Sequence, residues 1–395
     1  MKRFAVKGVL LACSLVLMSA LASADDPIRI AHIYGKTGPL ANYGKQSHDG
    51  LMLGLEYATE GTMSVNGRAI EVIEKDSRLD PLLGRSLLEE AYAEDDVLMA
   101  VGPLSSSVAV PMLPVAREYR RILLVEPAVA DTITGSRGNR YVFRTGRSAS
   151  QEAVANAVAL ARPGLKIATL APDNDFGHNT LAAFRQALRG SGAEIVHQEF
   201  LPAGNDDFSA ASERIFDALE DAEGDRLVFV NWAGAGDPLA QLYAMDPQQY
   251  DIRLAANGGF LSTLAGYKAY DGLEGANYYY FEHPSNSVND WLVEQYLARF
   301  GTPPDIFTAG GMTAGIALVE ALRRADSTDT EDLIETLEGM RFNTPKGDML
   351  IRAEDHQALQ SMYHFRLRSE EGVEWAIPEL VREIPFEELP LPVVR

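Results

Sequence analysis

Cysteine is almost missing: the 395 residues contain one, Cys13. Beyond it, a disulfide scaffold, a thiolate nucleophile and a cysteine-ligated zinc site are excluded. Positive charge is scarce too, with 35 Lys and Arg against 56 Asp and Glu and a formal charge of −21. No basic cluster lies beyond the first few residues, so nothing is there to neutralise a phosphate backbone, and nucleic acid is not an expected partner. The seven histidines include no pair four apart, which removes the helical two-histidine metal pattern. No Gly-x-Ser-x-Gly elbow and no phosphate loop occur. Gly234-Ala235-Gly236 opens like a dinucleotide fingerprint, but Leu239 stands where the third small residue belongs. The acid pairs Asp95-Asp96 and Asp206-Asp207 lack calcium-loop spacing and read as solvated helix starts. No cofactor and no metal are expected.

Long hydrophobic runs are absent as well, apart from Gly8 to Leu21 near the N-terminus. That run is short for a bilayer, follows Lys2, Arg3 and Lys7, and leads into Ala22-Ser23-Ala24. Residues 1–24 therefore read as a signal peptide cleaved after Ala24, and the expected location is the periplasm. Leu10-Leu11-Ala12-Cys13 faintly resembles a lipoprotein site, but Lys7 interrupts the apolar run before it and the run continues past it.

What remains has ordinary globular composition, 46% hydrophobic and 23% charged, over a length that suits two domains. The stretch Val101 to Arg144 is its most informative part. Gly102-Pro103 ends an apolar strand, Ser105-Ser106-Ser107 opens a helix, and Ile122–Val125 is a second strand followed by Glu126-Pro127-Ala128-Val129-Ala130-Asp131. Serines at a helix start either cap the helix or offer hydroxyl and N–H groups to an oxygen-rich ligand. Both readings stand on the local pattern.

Strand and helix alternate along the chain. Ile28–Ile33 reads as the first strand, residues 43–59 as a helix, and Pro81 as a first helical position. The pattern restarts after Arg144–Arg147, with strands at Ile167–Leu170, Leu227–Val230 and Arg253–Ala256. Tyr278–Phe281 reads as a strand leading back, and Tyr363, Phe365 and Leu367 as one buried strand face. The expected class is α/β, with two similar doubly wound lobes.

The ordered set Gly102-Pro103-x-Ser105-Ser106-Ser107, Pro114–Glu118, Glu126-Pro127-Ala128, Thr134-Gly135 and Phe143-Arg144-Thr145 resembles the leucine/isoleucine/valine-binding family. These are periplasmic substrate-binding proteins of branched-chain amino acid ABC transporters, with the type I periplasmic-binding fold. The resemblance implies a three-crossing hinge near 144–147, 277–280 and 343–348. Lobe I would be 25–146 plus 278–346, and lobe II 147–277 plus 347–395. It also implies a small-molecule ligand, a membrane permease as partner, a monomer and no enzymatic step.

Carried over position by position, the resemblance implies that Tyr43 walls the cleft and that Ser106, flanked by Ser105 and Ser107, bonds a ligand carboxylate. Ala128 and Ala130 would offer backbone groups, with a Thr hydroxyl missing at Ala130. Phe176 stands where relatives carry Tyr. Trp232 and Ala233 lie near a second tyrosine position, and Trp232 reads equally as packing. Gly258 falls where amino-acid binders carry the Glu that takes the ligand ammonium. Without that acid, unless Asp131, Asp175, Glu126 or Glu282 replaces it, the expected ligand is a small carboxylate or amide with an apolar or aromatic body. Two alternatives remain: a ligand sensor of the same fold, and a hydrolase using Ser106 with His32 or Lys36.

Overall fold

The computed structural model describes residues 26–393 other than Gly234; the expected signal segment and its cleavage site lie outside the described residues. Two large sheets carry the chain. The first is built from β1 (Ile28–Tyr34), β2 (Ser64–Val65), β3 (Arg68–Asp76), β4 (Met99–Val101), β5 (Ile122–Val125) and β6 (Val142–Arg144), in the order β2-β3-β1-β4-β5-β6. All its pairings are parallel except β2 with β3. β4 and β5 are buried at every position, as strands covered on both faces are.

The second sheet takes β7 (Lys166–Pro172), β8 (Glu194–Leu201), β9 (Arg226–Val230), β10 (Ile252–Ala256) and β11 (Glu274–Asn277) in parallel. A small antiparallel sheet follows, β12 (Arg341–Thr344), β13 (Gly347–Ile351) and β14 (Ala358–Gln360). The chain then returns to the second sheet as β15 (Met362–Arg368) and β16 (Ile377–Ile384), giving the order β16-β15-β11-β10-β9-β7-β8. Met349, Ile351 and Ala358 of the small sheet join the core cluster that also holds Ile30, Leu51 and Met312.

That core cluster is closed by two helices, Ala41–Ala58 and Ile306–Arg324, whose backbones nearly touch. A Cβ built on Gly50 would lie 2.1 Å from the Thr308 carbonyl oxygen, and one on Gly54 2.3 Å from that of Met312. In return, Cβ atoms built on Gly311 and Gly315 would lie 2.1 and 2.6 Å from the Ser47 and Leu51 carbonyl oxygens. Ile306–Arg324 is long and apolar enough to cross a bilayer by composition, but most of its residues are buried here. Its apolarity is accounted for by this packing.

Local signals set several element ends. Asp80 caps the helix Pro81–Ala93 by accepting from Leu82 N and Leu83 N at 2.8 and 3.0 Å, with Pro81 at the first position. Ser148 and Gln151 form a capping box that opens Ala149–Leu160, the first helix after the chain leaves β6.

One strand is misplaced in the sequence reading. Tyr278–Phe281 is not a strand; β11 ends at Asn277, and Tyr278–Tyr280 runs on as buried irregular chain. The ladder partners decide this. β10 and β15 flank Glu274–Asn277, a segment of low strand propensity, and give it the pairing that the tyrosines lack. The third crossing implied by the resemblance, near 343–348, coincides with the β12–β13 hairpin.

Candidate ligand-binding cleft

The parallel strands of both sheets end in loops that hold the residues singled out from sequence, the usual place for a crevice in open α/β sheets. On the first lobe, Gly102 turns the chain at φ +118°, where a Cβ would strike the Ile33 carbonyl oxygen at 2.0 Å. Glycine is required there. The helix Ser106–Tyr119 begins four residues later.

The three serines have different tasks. Ser105 sits at the N-cap position but makes no capping bond; its hydroxyl pairs with that of Ser107 at 2.8 Å. Ser106 Oγ accepts from Val129 N at 3.2 Å and Ala130 N at 3.0 Å, tying the turn after β4 to the loop after β5. With both acceptor sites engaged, its O–H is left to donate. The group suited to that donor is a carboxylate or carbonyl oxygen.

The loop carrying Ala128 and Ala130 is held from below. Ala128 is buried and Ala130 half-buried. The Ala130 carbonyl accepts from Arg144 Nη1 at 2.7 Å, and Arg144 also donates to Thr134 Oγ1 at 3.1 Å and to Gln357 Oε1. The loop reaches the second lobe through Ala149 N to Val129 O at 3.0 Å, and through Ser150 N and Oγ to Asp131. Arg144 is almost fully buried, and burial lowers its pKa to about 10.

On the second lobe, Phe176 is half-buried in the first turn of the helix Asp175–Ala187, which Asn174 caps by accepting from Gly177 N at 3.0 Å. Trp232 packs edge-on to Phe208 at 5.0 Å and donates from Nε1 to the Ala235 carbonyl at 2.8 Å, while Ala233 is exposed. Gly258 N donates to Ala276 O at 3.0 Å. The loops after β9 and β10 are joined by a chain of amides. Asn257 donates to Asn231 at 2.6 Å, Asn156 to Asn257 at 3.0 Å, and Ala276 N to Asn156 at 2.8 Å.

Tyr43 bridges the lobes. Its hydroxyl is 3.2 Å from Ser262 Oγ, and its ring meets Phe260 at 4.9 Å and Phe307 at 4.8 Å. A groove of about 650 Å³ opens beside it, lined among others by Gln46, Asp49, Leu261, Tyr296, Phe300 and Trp375. The serines, Ala128, Ala130, Phe176, Trp232 and Gly258 do not line that groove. The structure thus joins Ser106 to the Ala128–Ala130 loop, and Tyr43 to an aromatic group that includes Phe260 and Phe307, which the sequence reading had not singled out.

The four acids considered as ammonium partners have other surroundings. Glu282 is exposed, and Asp131 accepts from Ser150. The side chain of Asp175 is not described. Glu126 is buried, with Thr145 Oγ1 donating to it at 3.1 Å. Burial pushes its pKa up, against the opposing charges of Lys346 and Arg147. Lys346 is fully buried with its Nζ unpaired, and burial lowers its pKa to about 8. Both Lys346 and Arg147 stand over the Tyr278 ring, at 5.7 and 4.1 Å from its centre. Arg147, Tyr278 and Lys346 fall within the three segments expected to cross between the lobes, and Glu126 follows β5. Only Arg144 and Glu126 had a sequence signal, as members of the Phe-Arg-Thr and Glu-Pro-Ala motifs.

The bases considered for a Ser106 dyad are engaged elsewhere. His32 Nδ1 is 3.0 Å from His48 Nδ1 and its ring stacks on Tyr34 at 4.4 Å; Lys36 pairs with Glu74 at 3.0 Å. Burial, with His48 alongside, lowers the His32 pKa to about 3.

A family model described as periplasmic binding protein matches residues 27–372. The chain belongs to the periplasmic binding protein family. A Rhodopseudomonas palustris structure described as an ABC-type branched-chain amino acid transporter is 52% identical to this binding protein. It superposes with a TM-score of 0.92 over 93% of this chain and 99% of that one. The leucine-, isoleucine-, valine-, threonine- and alanine-binding protein of Pseudomonas aeruginosa is 26% identical over 84% of this chain and 87% of its own length. A second R. palustris structure is a solute-binding protein of an ABC transporter in complex with 3,4-dihydroxybenzoic acid. It is 26% identical, with a TM-score of 0.74 over 93% and 99% of the two chains. The α/β architecture of this binding protein is therefore the type I periplasmic-binding fold, and its function is that of an ABC-transporter solute-binding protein. Family members are periplasmic and are not enzymes.

Proposed function

We propose that this binding protein closes its two lobes on a small carboxylate and presents the closed form to a membrane permease, without altering the ligand. The observation that carries the ligand class is Ser106: its oxygen accepts two backbone N–H bonds, so its proton is directed to an acceptor on the ligand. The Ala128–Ala130 loop, Ser105 and Ser107 frame the carboxylate. Phe176, Trp232, Ala233 and Tyr43 supply the apolar wall, and Gly258 leaves the opposite end without an acid. An apolar or aromatic body with no ammonium suits that wall, in keeping with the relative that holds a dihydroxybenzoate. Relatives that bind branched-chain amino acids keep those ligands in the test.

The lobes are assigned as 25–146 with 278–346 and 147–277 with 347–395, hinged where the chain crosses. A monomer working in the periplasm after removal of residues 1–24 completes the reading. The test is a thermal-shift screen of residues 25–395, refolded to strip carried-over ligand, against branched-chain and aromatic amino acids, aromatic and aliphatic carboxylates, urea and short amides. At a hundred times Kd a ligand adds about 2.7 kcal/mol, a shift that is easily read. A hit confined to carboxylates supports the reading. A hit confined to amino acids shows that another acid serves the ammonium, and no hit refutes the cleft.

A further inference from the structure

β7, β9, β10 and β11 are parallel neighbours, so their carboxyl ends lie along one edge of the second lobe. Phe176, Trp232 and Gly258 follow the first three of these ends. The fourth strand ends in Asn277, which has no role in the cleft described so far. Its side chain is 3% exposed, and neither Oδ1 nor Nδ2 has a partner. The neighbouring asparagines bond among themselves and to Ala276 N, and leave Asn277 out. A buried amide unpaired at both ends is costly and calls for a partner.

Position 258 supplies a second, independent observation. A Cβ built on Gly258 would lie 2.3 Å from Asn277 Cβ and 2.9 Å from Phe365 Cε1. An acidic side chain at 258 and the asparagine at 277 would therefore compete for one space.

We propose that Asn277 is a specificity-determining residue whose amide takes a neutral hydroxyl or carbonyl of the ligand, in the space where an ammonium-binding carboxylate at 258 would stand. The proposal rests on the cleft proposed above. An amide both donates and accepts, which matches a hydroxyl or carbonyl; it cannot compensate the full charge of an ammonium.

The test uses calorimetry on residues 25–395 with three matched pairs that differ in one group. They are leucine and 2-hydroxy-4-methylpentanoate, phenylalanine and 3-phenyllactate, and benzoate and 4-hydroxybenzoate. The unaltered chain should prefer the hydroxy member of whichever pair it binds by about tenfold or more, the scale of one buried hydrogen bond. Asn277→Asp should shift the first two pairs toward the amino acid by at least about tenfold, and Asn277→Leu should abolish the hydroxyl preference in every pair. Preference for the amino acid by the unaltered chain overturns the proposal, and this comparison needs no variant to fold. A preference unmoved by both substitutions overturns it too, while leaving the cleft intact. If the unaltered chain binds none of the six, the cleft and the proposal fall together.

Discussion

Removing the Ser106 hydroxyl is the sharpest perturbation of the proposed cleft, because the three adjacent serines differ only in what they touch. Ser106→Ala leaves Val129 N–H and Ala130 N–H without their acceptor. At about 0.5–1.5 kcal/mol per net hydrogen bond, the ligand-free chain should lose about 1–3 kcal/mol of stability. The bond to a ligand carboxylate is a further charge-assisted one, worth about 1.5–3 kcal/mol, so the affinity should fall about 10- to 150-fold. Ser105 and Ser107 bond to each other near the surface, and alanine at either should change stability by less than about 0.5 kcal/mol. Urea denaturation without ligand reads the first effect, and calorimetry with the best binder of the screen reads the second. The reasoning is refuted if Ser105→Ala weakens binding as much as Ser106→Ala, or if Ser106→Ala leaves both quantities unchanged.

Other substitutions test the scaffold and its electrostatics. Arg144→Lys keeps the charge but loses the fork that holds Ala130 O, Thr134 and Gln357; affinity measured by calorimetry should drop by about tenfold or more. Gly50→Ala and Gly311→Ala each force a methyl onto a carbonyl oxygen at 2.1 Å and should cost about 1–3 kcal/mol or more in urea unfolding. Gly266→Ala, where a methyl meets nothing within 4 Å, should be neutral or slightly stabilising. Glu274 is buried, which alone would raise its pKa, but His364, Arg366 and Arg253 hold it at about 2. For a carboxylate depressed in the folded state, the stabilisation is complete above pH 4.5 and is lost as pH falls toward 2. The shift corresponds to about 3 kcal/mol, and to about 1–2 kcal/mol after solvent screening of the half-exposed Arg366. Between pH 4.5 and 2 the unaltered chain should lose that much more stability than Glu274→Gln; parallel titration curves contradict the assignment.

The sequence by itself determined the alternating α/β plan, because burial on both faces leaves continuous apolar strands such as Ile122–Val125, and cap residues such as Asp80-Pro81 mark helix starts. It also delivered the family, through motifs whose local geometry is rigid, such as the Gly102-Pro103 turn after β4. What it left open were choices between chemically equal neighbours. The local pattern treats Ser105, Ser106 and Ser107 alike and only the resemblance singles out Ser106; what distinguishes it physically is the loop from β5, more than twenty residues away, which bonds to it alone of the three. Strand β11 was invisible because Glu274-Gly275-Ala276-Asn277 has no strand signal of its own; its neighbours on both sides impose it. Likewise Arg144 with Gln357, His32 with His48, and Asn277 with Gly258 are pairs that sequence distance separates and only the tertiary structure brings together. Long-range packing decides which polar groups are buried together and which are left without a partner, and no local pattern encodes that.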